Sequence, residues 1–133
     1  MSKAQQAKGT RYRVLVVDDN ERLRSSVCNM LLERSQELDI RAVIEAPDGA
    51  SALAAARALK PDVVVMDINM PGMSGLKVAA CLKALQPSLP VVLMTAAFER
   101  ELEENALGVG VRAVLDKTDL WAALPTVLHA VLP

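Results

Sequence analysis

The sequence predicts an α/β fold, a parallel β-sheet with helices on both faces. Three observations carry this. Short unbroken apolar runs recur at Val14–Val17, Val63–Met66 and Pro90–Met94, and such runs suit strands buried on both faces. Segments with apolar residues at helical spacing separate them. Strand and helix alternate five times along the chain, which implies right-handed crossovers and a parallel sheet.

The elements follow in order. Residues 1–12 are polar and basic and read as a flexible lead-in, so the domain spans 13–133. After the first strand, Leu23, Val27, Met30 and Leu31 form one apolar stripe of a helix, with Asn20 or Asp19 as its cap. A weaker strand runs from Ile40 to Ile44. The Ala-rich stretch Ala50–Leu59 is a helix with Asp48 as a natural cap. The strand at Val63 leads to a helix over Leu76–Leu85, which follows Ser74-Gly75 and ends before Pro87. The strand at Pro90 leads to an acidic helix over Glu99–Leu107, stopped by Gly108 and Gly110. The fifth strand covers Arg112–Leu115. The last helix carries the stripe Leu120, Leu124, Val127, Leu128 and Val131, with Thr118 as a cap.

Composition narrows the function. The 133 residues fit one domain. Hydrophobic residues make up 52% and aromatic residues only 2%, so the core is built from aliphatic side chains. A net charge of -1 gives no basic face for nucleic acid. No apolar run reaches the ~20 residues of a membrane span, and the polar N-terminus lacks the apolar stretch of a signal peptide. Cys28 and Cys81 lie far apart and read as buried thiols in a reducing compartment. These features place the chain in the cytoplasm. The chain ends soon after its last helix, so it is either a stand-alone unit or part of a longer protein.

The polar residues that matter lie at strand ends. Asp18 and Asp19 follow the first strand, Asp67 the third, Thr95 the fourth and Lys117 the fifth. Loops after the strands of an open α/β sheet form its ligand crevice, where strand order reverses. These residues therefore meet at one sheet edge. Three close carboxylates repel one another and call for a cation. A few hard oxygen ligands suit Mg2+, which keeps several waters and shares phosphate oxygens. A carboxylate is also a nucleophile that can carry a phosphoryl group. An ammonium and a hydroxyl can neutralise the charge on the oxygens of that group. The set fits phosphoryl transfer to a carboxylate.

The segments VLVVDDNERLR, PDVVVMDINMPGMSGL, VVLMTA and ALGVGVRAVLDK resemble the response-regulator receiver domain of two-component signalling. The likeness runs from about Val14 to the last helix. Each motif alone is weak; the four in this order are specific. The resemblance implies a flavodoxin-like three-layer sandwich with a five-stranded sheet in the order 2-1-3-4-5 and five helices. It implies Asp67 as phosphoacceptor and Asp18 and Asp19 as the acidic pair, with Asp19 the more direct Mg2+ ligand. Asn69 would add its backbone carbonyl to the metal. Thr95 would turn inward to the phosphoryl group and Lys117 would pair with it. Met70-Pro71-Gly72 and Gly75 match the loop that lets the backbone approach the site. The implied partner is a sensor histidine kinase or a phosphotransfer protein, and the implied role is that of a phosphoacceptor rather than an enzyme. Homodimerisation through the surface near strands 4 and 5 fits the same picture.

The chain departs from the family pattern in two places. Thr118 follows Lys117 where most receivers have proline, so no cis peptide is expected there; receivers that precede helix-turn-helix output domains of one large subfamily also lack that proline. Val114 stands where a switch aromatic is usual. Rival readings use the same frame. A pseudo-receiver would serve as a constitutive interaction module. A flavin-mononucleotide binder needs a phosphate loop rich in Ser, Thr and Gly after its first strand, where this chain has Asp18-Asp19-Asn20-Glu21. A haloacid-dehalogenase-type phosphatase needs a second Asp two residues past its nucleophile, where this chain has Asn69 or Asn20. Taken singly, an Asp after a strand is a helix cap, Thr95 a strand-end hydroxyl and Lys117 a surface lysine. His129 reads as a surface or half-buried residue without a role, and Trp121 as core-edge packing or a partner contact.

Overall fold

The computed structural model describes residues 11–133. Most of the segment expected as a lead-in, up to residue 10, lies outside the described residues. The strands are β1 (Tyr12–Val17), β2 (Ile40–Ala46), β3 (Val63–Asp67), β4 (Val91–Thr95) and β5 (Ala113–Asp116). The helices are α1 (Glu21–Glu33), α2 (Ser35–Leu38), α3 (Gly49–Leu59), α4 (Gly75–Leu85), α5 (Arg100–Val109) and α6 (Leu120–Val131). All pairings are parallel and the strand order is β2-β1-β3-β4-β5. The expected order holds. The helix count is one higher than expected, because the first helical stretch breaks at Arg34 and resumes as the single turn α2.

The unbroken apolar runs now have their reason. Successive strand residues point to opposite faces. Leu15, Val17, Val64, Met66 and Leu93 enter one core with Ala52 and Ala56 of α3, Val78 and Leu82 of α4, and Ala106 of α5. Val14, Val16, Val65, Val92 and Met94 enter the other with Val27 and Leu31 of α1 and Leu120, Leu124 and Leu128 of α6. The two cores share only the sheet.

Helix ends follow local chemistry. Asn20 caps α1, its side chain accepting from the Leu23 N–H at 3.0 Å. Replacing Asn20 with Ala should lower stability by about 1 kcal/mol, read as a shifted urea midpoint, while Asn20→Ser should retain most of it. Asp48 caps α3 in a capping box with Ser51. Two expected ends are corrected. Helix α5 passes through Gly108 and stops at Gly110, whose φ of +107° closes it. Thr118 does not cap the last helix. It sits in a 3-10 turn, Lys117–Asp119, whose cap is the Asp116 side chain.

Candidate functional site

The sheet order reverses between β1 and β3: the chain leaves β1 toward β2, then crosses back to β3 on the other side. In register, Val17 faces Met66, so the next residues along, Asp18 and Asp67, lie side by side. Asp18 is wholly buried and Asp67 nearly so, while Asp19 is exposed. The Asp18, Asp19 and Asp67 carboxylates each present an oxygen, all within 4.8 Å of one another. This donor set, three hard anionic oxygens of which one belongs to an exposed residue, fits a divalent cation of the Mg2+ class. Asn69 joins through its backbone, its N–H donating to Asp67 Oδ1 at 3.2 Å.

Lys117 arrives from the end of β5. Its Nζ lies 3.3 Å from Asp18 Oδ2 and 3.3 Å from Asp67 Oδ2. The ammonium therefore bridges two of the three acids. The Thr118 N–H donates to Asp116 Oδ1 at 3.0 Å, and its hydroxyl to the same oxygen at 2.8 Å. Those bonds hold the turn that carries Lys117 and keep the Asp116 carboxyl below the ordinary range. Proline at 118 has no N–H for this turn, which gives Thr118 its structural reason. No cis peptide bond occurs among the described residues.

The Asp67 carboxyl is perturbed by its surroundings. Burial pushes its carboxyl above the ordinary 3.8, and the neighbouring Asp18 charge pushes the same way; Lys117 and the Asn69 N–H oppose them and lose. A carboxylate that resists ionisation in the metal-free protein gains most when a cation arrives.

Thr95 closes β4 and is wholly buried. Its hydroxyl is not on the acids: Oγ1 accepts from the Ala97 N–H at 3.1 Å, within its own loop. Next in that loop, Phe98 is 40% exposed. It borders a groove of about 300 Å³ with Val114, Leu115, Asp116, Asp119 and Ala123. Val114 is buried. Trp121 is 47% exposed on α6, and His129 is exposed in that helix's last turn. Cys28 is buried, which pushes its thiol up to about 11, and Cys81 is half-buried. The two form no disulfide.

Gly75 opens α4 directly behind Asp67. Its N–H donates to the Ile68 carbonyl at 2.7 Å. A Cβ at 75 would collide with the Asp67 carbonyl oxygen and lie 2.7 Å from Ile68 Cα. Both are backbone atoms that cannot rotate away. Gly75→Ala should therefore cost about 1–3 kcal/mol, seen in urea melts, and should move the Asp67 amide resonance. At Gly49 a Cβ would meet side-chain atoms of Val78 and Met73, which can adjust, so Gly49→Ala should cost less in the same melts.

Sequence reasoning did not single out Arg24. Its Nη1 donates to the Asp18 carbonyl at 2.7 Å and its Nε lies 3.0 Å from Glu45 Oε1. Only its place one turn into α1, under the loop that carries the acids, hints at this in the sequence.

A family model described as "Response regulator receiver domain" matches residues 14–126. The response regulator GacA of Pseudomonas viridiflava is 36% identical over 105 residues, which is 79% of this chain and 48% of that protein. The probable transcriptional regulatory protein TcrX of Mycobacterium tuberculosis is 44% identical over 90 residues, 68% of this chain and 36% of its own length. The chain thus spans about half the length of GacA, or less for TcrX. Among solved structures, the chemotaxis protein CheY4 of Vibrio cholerae superposes with a TM-score of 0.80 at 29% identity, covering 91% of this chain and 98% of its own. The receiver domain of a putative NarL from Mycobacterium tuberculosis gives 0.75 at 33%, covering 90% and 97%.

Proposed function

The chain belongs to the response regulator receiver domain family of two-component systems, and from that premise we propose that it takes a phosphoryl group on Asp67 from a histidine kinase or phosphotransfer protein. The observation that carries the reading is the Lys117 ammonium between Asp18 and Asp67 beside a three-carboxylate cluster. Asp18, Asp19, Asp67 and the Asn69 carbonyl are the residues that would hold Mg2+. Bound there, Mg2+ supplies positive charge to the phosphoryl oxygens.

An Asp67 carboxylate oxygen attacks phosphorus in line. The P–O bond to Asp67 forms as the P–N bond to the donor histidine breaks, and the imidazole leaves with that electron pair. Lys117 stays beside the new acyl phosphate and pairs with an equatorial oxygen. Thr95 Oγ1 accepts from the Ala97 N–H and keeps its own O–H to donate to another phosphoryl oxygen; a side-chain rotation toward that oxygen would draw Oγ1 off the Ala97 N–H and free the loop before Phe98. Added negative charge thus reaches the surface around α5, β5 and α6, the surface through which we place partner contact and homodimerisation.

The protein acts as a phosphoacceptor that dephosphorylates itself, in the cytoplasm, and turns over no separate substrate. No helix of the described residues is long and apolar enough to cross a membrane. We assign no nucleic-acid contact to this chain. The test is intact mass after incubation with acetyl phosphate and MgCl2. One added phosphoryl group that requires Mg2+ is expected. No addition, with Mg2+ binding separately absent, would leave a constitutive interaction module as the better account.

A further inference from the structure

We propose that Arg24 is a positioning residue for the metal and phosphoryl site, acting through the backbone of Asp18, with Glu45 holding Arg24 in place. The inference rests on the phosphoacceptor reading and extends it to residues outside the acidic cluster.

Asp18 is held from every side. Its N–H donates to the Ala46 carbonyl at 3.2 Å, Oδ1 accepts from the Asn20 N–H at 2.9 Å, and Oδ2 faces Lys117. Its carbonyl remains, at the start of a loop that must aim two carboxylates at one point. Arg24 Nη1 takes that carbonyl at 2.7 Å, the short distance of a charge-assisted bond. The arginine side chain is only 13% exposed, although it starts from a surface helix. Its Nε is fixed 3.0 Å from Glu45 Oε1 on β2. Arg24 therefore ties α1, the β1–α1 loop and the edge strand together at the carbonyl next to Asp19. A planar guanidinium donates along two directions at once, toward a carbonyl and a carboxylate; an ammonium has no such fixed fork. Arg24 bonds a backbone carbonyl and Glu45, not the carboxylate oxygens of Asp18, Asp19 and Asp67 that would hold the cation.

The experiment uses the full chain with Arg24→Met, Arg24→Lys and Glu45→Gln. MgCl2 is titrated into each and followed by backbone amide NMR. Phosphorylation by acetyl phosphate is followed by intact mass, and urea melts are run in EDTA. Loss of an outer-shell partner typically weakens metal binding by about tenfold or more. Arg24→Met is expected to raise the Mg2+ Kd about tenfold. Arg24→Lys should fall between it and the wild type, and Glu45→Gln, which keeps an acceptor for Nε, should fall nearer the wild type. Phosphorylation at subsaturating Mg2+ should slow in the same order and recover at saturating Mg2+. An Arg24→Met protein that melts earlier yet binds Mg2+ and takes phosphoryl as the wild type does would overturn the inference and make Arg24 a structural tie only. If the wild type itself neither binds Mg2+ nor gains mass, the phosphoacceptor reading fails first and this inference goes with it.

Discussion

Asp67→Asn should abolish the Mg2+-dependent gain of one phosphoryl group and, without metal, leave the protein more stable than the wild type at neutral pH. The two effects have one origin. Asn matches Asp in shape but offers no carboxylate oxygen as nucleophile. It also removes a charge that the fold disfavours: burial and the Asp18 charge together raise the Asp67 carboxyl above its ordinary value. The sign follows from proton binding. With its folded pKa raised, Asp67 keeps a proton in the folded state after the unfolded state has lost it. Stability from this group is therefore full below the unfolded value and is lost as pH rises through the folded value. Urea midpoints in EDTA should fall for the wild type from about pH 4 upward until that titration is complete. The Asp67→Asn variant should lack this component. Added MgCl2 should raise the wild-type midpoint more than the variant's, because a ligand that binds the folded state stabilises it. An Asp67→Asn protein that still gained a phosphoryl group would move the acceptor elsewhere, and equal midpoints for the two proteins at every pH would remove the claim about Asp67's environment.

Lys117→Met should act in opposite directions on the two partners of the site. The ammonium and a divalent cation compete for the same oxygens, since Lys117 Nζ is 3.3 Å from both Asp18 Oδ2 and Asp67 Oδ2. Removing it leaves two buried acids without their counter-charge, so Mg2+ should bind more tightly to the variant. Phosphoryl transfer should nevertheless slow by about a hundredfold, the usual loss when one preorganised donor to developing charge is deleted. Calorimetric Mg2+ titration and the time course of mass gain separate the two. An unchanged transfer rate at saturating Mg2+ would reduce Lys117 to a counter-ion of the resting state.

Much of this was legible in the chain, for physical reasons. Strands β1, β3 and β4 announced themselves because burial on two faces leaves no room for polar residues. The sheet-edge strand β2 was harder. Its middle is only partly covered, so its apolar pattern is diluted, and it runs on past Ile44 to Ala46. Gly108 and Gly110 looked alike as helix stops. Glycine shows that a left-handed turn is accessible, and only tertiary packing selects the residue that makes it, here Gly110. The carboxylates and Lys117 were readable from their places at strand ends. Arg24 was not, because its partner is a backbone carbonyl, a group every residue carries. The resting bond of Thr95 to Ala97 was hidden for the same reason.

The division of the interior has a consequence for how the molecule comes apart. Alternate residues of each central strand belong to different cores: Leu15 and Val17 to one, Val14 and Val16 to the other. Each strand is thus a party wall. Stripping either helical layer would expose one side of a wall on which the opposite layer still leans, so no half can be shed while the other stands. The polar strand ends Asp18, Asp67 and Thr95 lie at the rim of both rooms, buried but outside either apolar cluster. Thr95 there holds Ala97, its neighbour beyond the strand, through one hydrogen bond, so a signal at the rim can move that loop while the walls stay put.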